Sequence, residues 1–193
     1  MATFAYYNIS TTDKTTIHAV DTITTSDIQS IKGSPKAITF CNKDASGDSC
    51  TIDLYAVSQL GTAITDTGTN VNEIANYETT SSVTLTVDGT SATDDLFKNE
   101  QVWKSDGTLF GTCTSVTNTT TLVFSGGISQ TILNNDDLYT GSRYYILHNF
   151  IIPSGSTLVL EHPEINYNSS VYALKTVLKS VSGTQLLDIK VEY

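Results

Sequence analysis

No stretch of this chain approaches the roughly 18 consecutive apolar residues of a membrane-spanning helix. The N-terminus also lacks the basic start and apolar core of a signal peptide. The expectation is a soluble chain that escapes that processing route. Basic side chains are scarce: 10 Lys and Arg stand against 20 Asp and Glu, for a formal charge of -10. With a sequence pI near 4.5, the chain repels phosphate backbones and anionic lipid surfaces, so neither nucleic acid nor membrane is an expected partner. Three cysteines, Cys41, Cys50 and Cys113, are too few for a disulfide-built fold, and their odd number leaves at least one thiol unpaired within the chain. Cys41 and Cys50 flank an expected hairpin loop. Two readings stand open there, a disulfide across the loop or two buried thiols acting as small apolar residues.

Recognisable chemistry is missing as well. His18, His148 and His162 are far apart, and none has metal-ligating neighbours at a zinc spacing. His148 lies in an apolar strand and His162 in the polar turn Glu161-His162-Pro163-Glu164. There is no Gly-x-Ser-x-Gly elbow, and Gly126-Gly127 lacks the Lys-Ser/Thr of a phosphate loop. The adjacent pairs Asp94-Asp95 and Asp136-Asp137 would point to opposite faces of a strand rather than bracket a substrate. Two oxygen-rich loops, Asn42, Asp44 and Asp48 in one and Asn134, Asn135, Asp136 and Asp137 in the other, offer hard ligands suited to calcium. Neither has EF-hand spacing, and Asn and Asp also fill turns by bonding their own backbone. Trp103, Tyr139, Tyr144, Tyr145 and Tyr167 are candidates for stacking on sugars, or core residues, with Trp103 expected at the centre of a small barrel. The sequons at Asn8, Asn118 and Asn168 read as chance matches in a Ser- and Thr-rich chain. The expectation is a non-enzymatic protein without catalytic, cofactor-binding or metal-binding residues.

What is present favours strands. Thr is roughly one residue in six, there are ten tyrosines, and Met1 is the sole methionine. Such enrichment suits pleated, half-buried surfaces, and apolar positions at helical spacing are rare. The class is all-β. Residues 1–27, polar with Thr22-Ile23-Thr24-Thr25-Ser26-Asp27, read as an extended N-terminal arm, either an edge strand or mobile end of its own domain or an arm laid on a neighbouring subunit. Ala37 to Val57 reads as a hairpin around the polar loop 42–49, with Ile28 and Ile31 before a Gly33-Ser34-Pro35 break. Its second strand puts Ile52 and Leu54 on the core face and Asp53 and Tyr55 on the other. Gly61 to Ser82 is read as a linker, with Asp66-Thr67-Gly68-Thr69-Asn70 as a turn and Ile74, Ala75 and Tyr77 as anchors.

Residues 83–140 form the most self-contained unit. Val83, Leu85 and Val87 alternate up to Asp88-Gly89. Val102-Trp103 then leads to an Asp106-Gly107 hairpin turn, Leu109 to Val116 reads as one strand, and Leu122-Val123-Phe124 returns. Five short strands suggest a small inserted β-barrel. Around it, 28–82 and 141–193 read as two halves of one discontinuous antiparallel β-sandwich. The C-terminal strand alternates Leu187, Ile189 and Val191 inward with Asp188, Lys190 and Glu192 outward.

The strands Ala37-Ile38-Thr39-Phe40-Cys41-Asn42, Thr51-Ile52-Asp53-Leu54-Tyr55 and Tyr144 to Leu160, with the alternating last strand, resemble a sandwich common among minor virion proteins of tailed phages, those of marine cyanobacteria being nearest. The Asn99-Glu100 to Tyr139 order resembles the SH3-like modules inserted in many phage virion proteins. The resemblance implies a jelly-roll-like sandwich interrupted by an SH3-like barrel. It also implies a virion structural protein assembled in the host cytoplasm, foremost a head decoration or cement subunit. A neck, collar or tail subunit is the alternative, and a glycan- or receptor-binding module the second. The implied partners are the major capsid protein or other virion subunits, and further copies of the chain in a homo-oligomer. No individual functional residue carries over.

Overall fold

The structure, a computed structural model, describes residues 3–19, 35–73, 82–88, 94–128, 131, 133–179 and 186–193. Residues 20–27 of the expected arm, Ile28 and Ile31 with the Gly33-Ser34 part of the break that follows them, the anchors Ile74, Ala75 and Tyr77, and Gly89 lie outside these. The described chain is all-β, with antiparallel sheets and a single helical turn. It divides into two units, Met1–Val57 with Arg143–Tyr193, and Ser58–Ser142.

The first unit begins with strands β1 (Phe4–Ile9), β2 (Thr15–His18), β3 (Ala37–Asn42) and β4 (Cys50–Ser58). The second supplies β5 (Ile64–Asn70), β6 (Val83–Thr86), the turn α1 (Asp94–Phe97), β7 (Glu100–Trp103), β8 (Leu109–Cys113), β9 (Ser115–Asn118), β10 (Thr121–Phe124) and β11 (Asp137–Gly141). The chain returns to the first unit as β12 (Arg143–Ile152), β13 (Thr157–Glu161), β14 (Tyr172–Leu178) and β15 (Leu187–Glu192).

In the first unit, one sheet has the order β1-β15-β3-β13 and the other β12-β4-β14-β2. β15 lies between β1 and β3 in unbroken registers, Tyr7 opposite Ile189 on one side and Ile189 opposite Phe40 on the other. Alternation with one wet face does what the sequence anticipates: Leu187, Ile189 and Val191 are buried and Asp188, Lys190 and Glu192 are not. Ile38, Phe40, Ile189 and Val191 from one sheet and Ile52, Leu54, Leu174 and Leu178 from the other belong to one core.

Two expectations are corrected here, and an open one is decided. β3 and β4 do not form a hairpin, because they belong to different sheets and residues 43–49 carry the chain from one to the other. The proposed cross-loop disulfide fails for the same reason. Cys50 points into the core while Cys41 lies on the other sheet, half-buried beside Asp188, and none of the three cysteines forms a disulfide. Burial holds the Cys50 thiol above its ordinary pKa. Of the readings open for residues 1–27, the described part follows the edge strand of its own domain. β1 makes six paired positions with β15, β2 pairs with β14, and Ile9 and Ile17 are buried in the core.

The second unit has the sheets β6-β10-β9 and β5-β11-β7-β8 around a core that includes Leu85, Phe97, Val102, Phe110, Leu122, Phe124 and Leu138. Phe110 and Phe124 meet edge to face with ring centroids 5.4 Å apart. The bridges Val71–Val87 and Gly111–Ile128 add two isolated pairings beyond the named strands. The expected linker is a strand in its described part, since β5 pairs along β11. Its polar turn signal is a bulge: Thr67 and Gly68 are the extra residues, Gly68 has φ +68°, and its N–H donates to Asp66 Oδ1. Leu109 to Val116 is not one strand but breaks at Thr114, so that β8 and β9 serve different sheets. Trp103 is buried but outside the core cluster, whose large members are phenylalanines. The Asp106-Gly107 turn does join β7 to β8, with Gly107 at φ +81°. A side chain there would also meet the carbonyl of Gly61 at 2.6 Å, so glycine is needed twice over.

Candidate functional site

The first unit offers two places where polar groups converge. The first is the outward face of β1, β15 and β3. Alternation turns Tyr6 and Asn8, Lys190 and Asp188, and Thr39 and Cys41 to the same side, and they line a depression of about 310 Å³. Tyr6 is 71 % exposed and stands as one wall. Asn8 Nδ2 donates to Asp188 Oδ1 at 2.7 Å, and Lys43 pairs with the other carboxylate oxygen. That pairing raises the Lys43 pKa. Lys190 Nζ sits 4.3 Å from the centre of the Phe4 ring. An exposed ring beside a hydrogen-bonded amide and carboxylate is suited to a polar ligand with one flat apolar face, such as a sugar.

The second place centres on Asp53, which is only 2 % exposed although it lies on the face of β4 opposite the main core. β12 bulges where it passes this residue, and Asn149, at φ +50°, donates its backbone N–H to Asp53 Oδ1 at 2.6 Å. His148 Nδ1 lies 3.2 Å from the same oxygen and Lys179 Nζ 3.6 Å from the other. Asp and His at this distance invite comparison with an acid–base pair. The geometry argues otherwise, because Asn149 Nδ2 lies 3.0 Å from His148 Nε2. With the proton on Nδ1, assigned here from the hydrogen-bond partners, the imidazole donates to Asp53 and accepts from Asn149. No lone pair is left for a substrate. The cluster fixes the bulge of an edge strand. Asp53→Ala is expected to cost the first unit about 2 kcal/mol, as for loss of a charge-assisted hydrogen bond, and to lower its thermal midpoint by about 10 °C. Circular dichroism on heating measures this, and an unshifted midpoint would remove Asp53 from the account.

The remaining sequence candidates are scattered. His18 is buried on β2, its Nδ1 bonded to the Tyr167 hydroxyl and its ring 5.3 Å from that of Tyr193. Tyr193 and Tyr7 both donate to the Ile17 carbonyl, so this cluster ties β1 and β15 to β2. Burial raises the Tyr7 pKa. His162 is exposed in its turn. Tyr144 packs edge-on against Tyr172, and Tyr145 lies 5.5 Å from Tyr55 and 4.6 Å from His148. Tyr139 and Trp103 are cross-strand partners in the second unit, whereas Tyr144, Tyr145 and Tyr167 belong to the first.

Both oxygen-rich loops spend their ligands internally. Asp44 accepts from the N–H and hydroxyl of Ser46 and from the N–H of Asp48, and Asn42 donates to the Asp48 and Ile152 carbonyls. In the other loop Asp136 pairs with Lys104 at 2.9 Å and Asp137 accepts from Asn70. Among the described residues no three His, Cys, Asp or Glu side chains gather as metal ligands, and no helix is long and apolar enough to cross a membrane. The Ser46 N–H, then the Ser46 hydroxyl and the Asp48 N–H, hold the Asp44 carboxyl below its ordinary value. A depressed folded pKa gives stability that is full above the ordinary value, about 4, and lost as pH falls through the lower folded one. The Ser46 and Asp48 amides are therefore expected to keep their protection from exchange down to about pH 4 and lose it only below. Loss beginning above pH 5 would contradict the assignment.

Sequence reasoning passed over Asp53 and the Tyr6 face. A signal for Asp53 was present in the run Leu54-Tyr55-Ala56-Val57, apolar at consecutive positions, which marks a strand buried on both faces. Comparison with family models, with curated proteins and with solved structures finds no match for the chain.

Proposed function

We propose that this chain is a non-enzymatic structural subunit of a tailed-phage particle, foremost a decoration or cement subunit on the head exterior. The observation that carries the proposal is strand order. Counting the eight strands of the first unit along the chain, the sheets run 1-8-3-6 and 5-4-7-2, the arrangement of a jelly roll, a double-sheet architecture used by viral capsid proteins and lectins. The second unit then enters between the fourth and fifth strands as a small SH3-like barrel. An acidic surface suits a subunit that must not adhere to packaged DNA. Repeated modest contacts over a symmetric shell suffice to hold such a subunit by avidity. The test is the copy number of the chain in purified virions, by quantitative mass spectrometry against the major capsid protein. Copies on the scale of the capsid protein support head decoration, a single ring's worth moves the chain to the neck, collar or tail, and absence overturns the virion reading.

A second reading, a glycan- or receptor-binding module, is favoured by the Tyr6 depression. Lectin domains share the jelly-roll architecture, and Tyr6 with Asn8 and Asp188 supplies a stacking face beside hydrogen-bonding groups. It requires saturable binding on a glycan array that is lost in Tyr6→Ala.

A further inference from the structure

β12 forms one margin of the β12-β4-β14-β2 sheet, and among the described residues no strand pairs with its free side. Edges of this length are normally blunted by charge, proline or a covering segment, because their unpaired N–H and C=O groups template pairing with another chain. From Arg143 to Ile152 there is no proline and no carboxylate, the one Lys or Arg is Arg143 at the first position, the bulges are confined to the middle, and Tyr144, Tyr145, Phe150 and Ile151 are 57, 48, 39 and 60 % exposed. The chain has no Asp or Glu from residue 138 to 160, although its formal charge is -10. Two copies of so acidic a chain repel one another in general. Along β12 they can meet without opposing carboxylates.

The side chains are also self-complementary. Cross-strand partners share a face, so the register with β4 sorts them. Tyr145 opposite Tyr55 and Ile151 opposite Thr51 lie on one face; Tyr144 opposite Ala56, Leu147 opposite Leu54, Phe150 opposite Ile52 and Ile152 opposite Cys50 lie on the other. We infer that β12 is the surface by which two copies of this chain associate, antiparallel, about a twofold axis level with Asp53. That axis sets Tyr145 beside Ile151 of the second copy on one face. On the other it sets Leu147 beside Phe150 and Tyr144 beside Ile152. Like charges are not opposed, and such an interface is isologous and closed.

The bulges on either side of Leu147 lie near the axis, and Asn149 turns its N–H inward to Asp53. Main-chain bonds between copies therefore form only to either side, and side-chain burial supplies most of the association. At 150–250 Å² for a whole aromatic side chain, the four exposed residues bring about 800 Å² of surface from two copies. Flanking side chains and backbone extend this towards the roughly 1,200–2,000 Å² of stable interfaces. The inference stands on this edge alone and does not require the virion reading.

Sedimentation equilibrium on the full chain tests it. The expected result is a mass twice the 20.8 kDa of the chain, with Ile151→Lys weakening association by at least about tenfold. Val159→Lys, at a 51 % exposed position on β13, serves as the control and is expected to stay dimeric. Both positions are exposed, and equal thermal midpoints verify that the variants fold. A wild-type monomer at about 100 μM, an unweakened Ile151→Lys dimer, a Val159→Lys variant that dissociates equally, or a larger ring would each overturn the twofold β12 contact.

Discussion

Deleting residues 1–18 is expected to abolish folding of the first unit rather than to trim a dispensable arm. β1 and β2 are edge strands, yet each is bound into its sheet: β1 by six paired positions with β15, and β2 by its ladder with β14. Ile9 and Ile17 are 4 % and 1 % exposed, and full burial of such a side chain stabilises by about 1.5–3 kcal/mol. The Tyr7 and Tyr193 hydroxyls both use the Ile17 carbonyl, so the deletion also removes the acceptor of the half-buried Tyr193 hydroxyl. Together these losses approach the 5–15 kcal/mol by which domains are typically stable. Far-UV circular dichroism and limited proteolysis of the truncated chain report the outcome. A truncated chain with the β-rich spectrum and protease resistance of the full one would show that β1 and β2 contribute little.

Phe124→Ala is expected to destabilise the second unit by about 4 kcal/mol, within the range for emptying a buried phenylalanine site. Phe124 is fully buried, packs edge-on against Phe110, and lies on β10, the middle strand of its sheet between β6 and β9. Neighbouring strands hold the walls of the resulting cavity apart, so little of the loss is recovered by collapse. Trp103, the sole tryptophan and itself in this unit, supplies a fluorescence signal for urea unfolding. With a urea slope of about 1–3 kcal/mol per molar, the midpoint should fall by about 2 M. A fall below about 0.5 M would mean that Phe124 is not a core residue. Trp103 is a reporter rather than a keystone, for its indole N–H is buried and finds no hydrogen-bond acceptor among the described residues.

The sequence by itself determined the class of structure and the faces of strands with one wet side. β15 and β6 show the reason: in a pleated strand alternate residues face opposite ways, so Leu187, Ile189 and Val191, or Val83, Leu85 and Val87, name their own buried face. Turn chemistry was legible where it is local, as at Asp106-Gly107. The same local signal misled at Asp66-Thr67-Gly68, because a bulge and a turn ask for the same residues and only the presence of β11 alongside distinguishes them. Polar β5 has few apolar positions to announce it as a strand.

Only the tertiary structure decided which strands meet. Backbone N–H and C=O groups are the same in every strand, so nothing in Phe4–Ile9 specifies β15, some 180 residues away, as its partner. Nor does the short sequence distance between β3 and β4 make them a hairpin once each finds better burial in a different sheet. Asp53 illustrates the limit. A carboxylate in a strand reads as a solvent-facing residue until β12 lies over it and brings the Asn149 N–H, His148 and Lys179 to it. The side of β12 that no described strand pairs with was invisible for a related reason. Its apolar residues have the composition of a core strand, and exposure is a property of neighbours that are missing rather than of residues that are there.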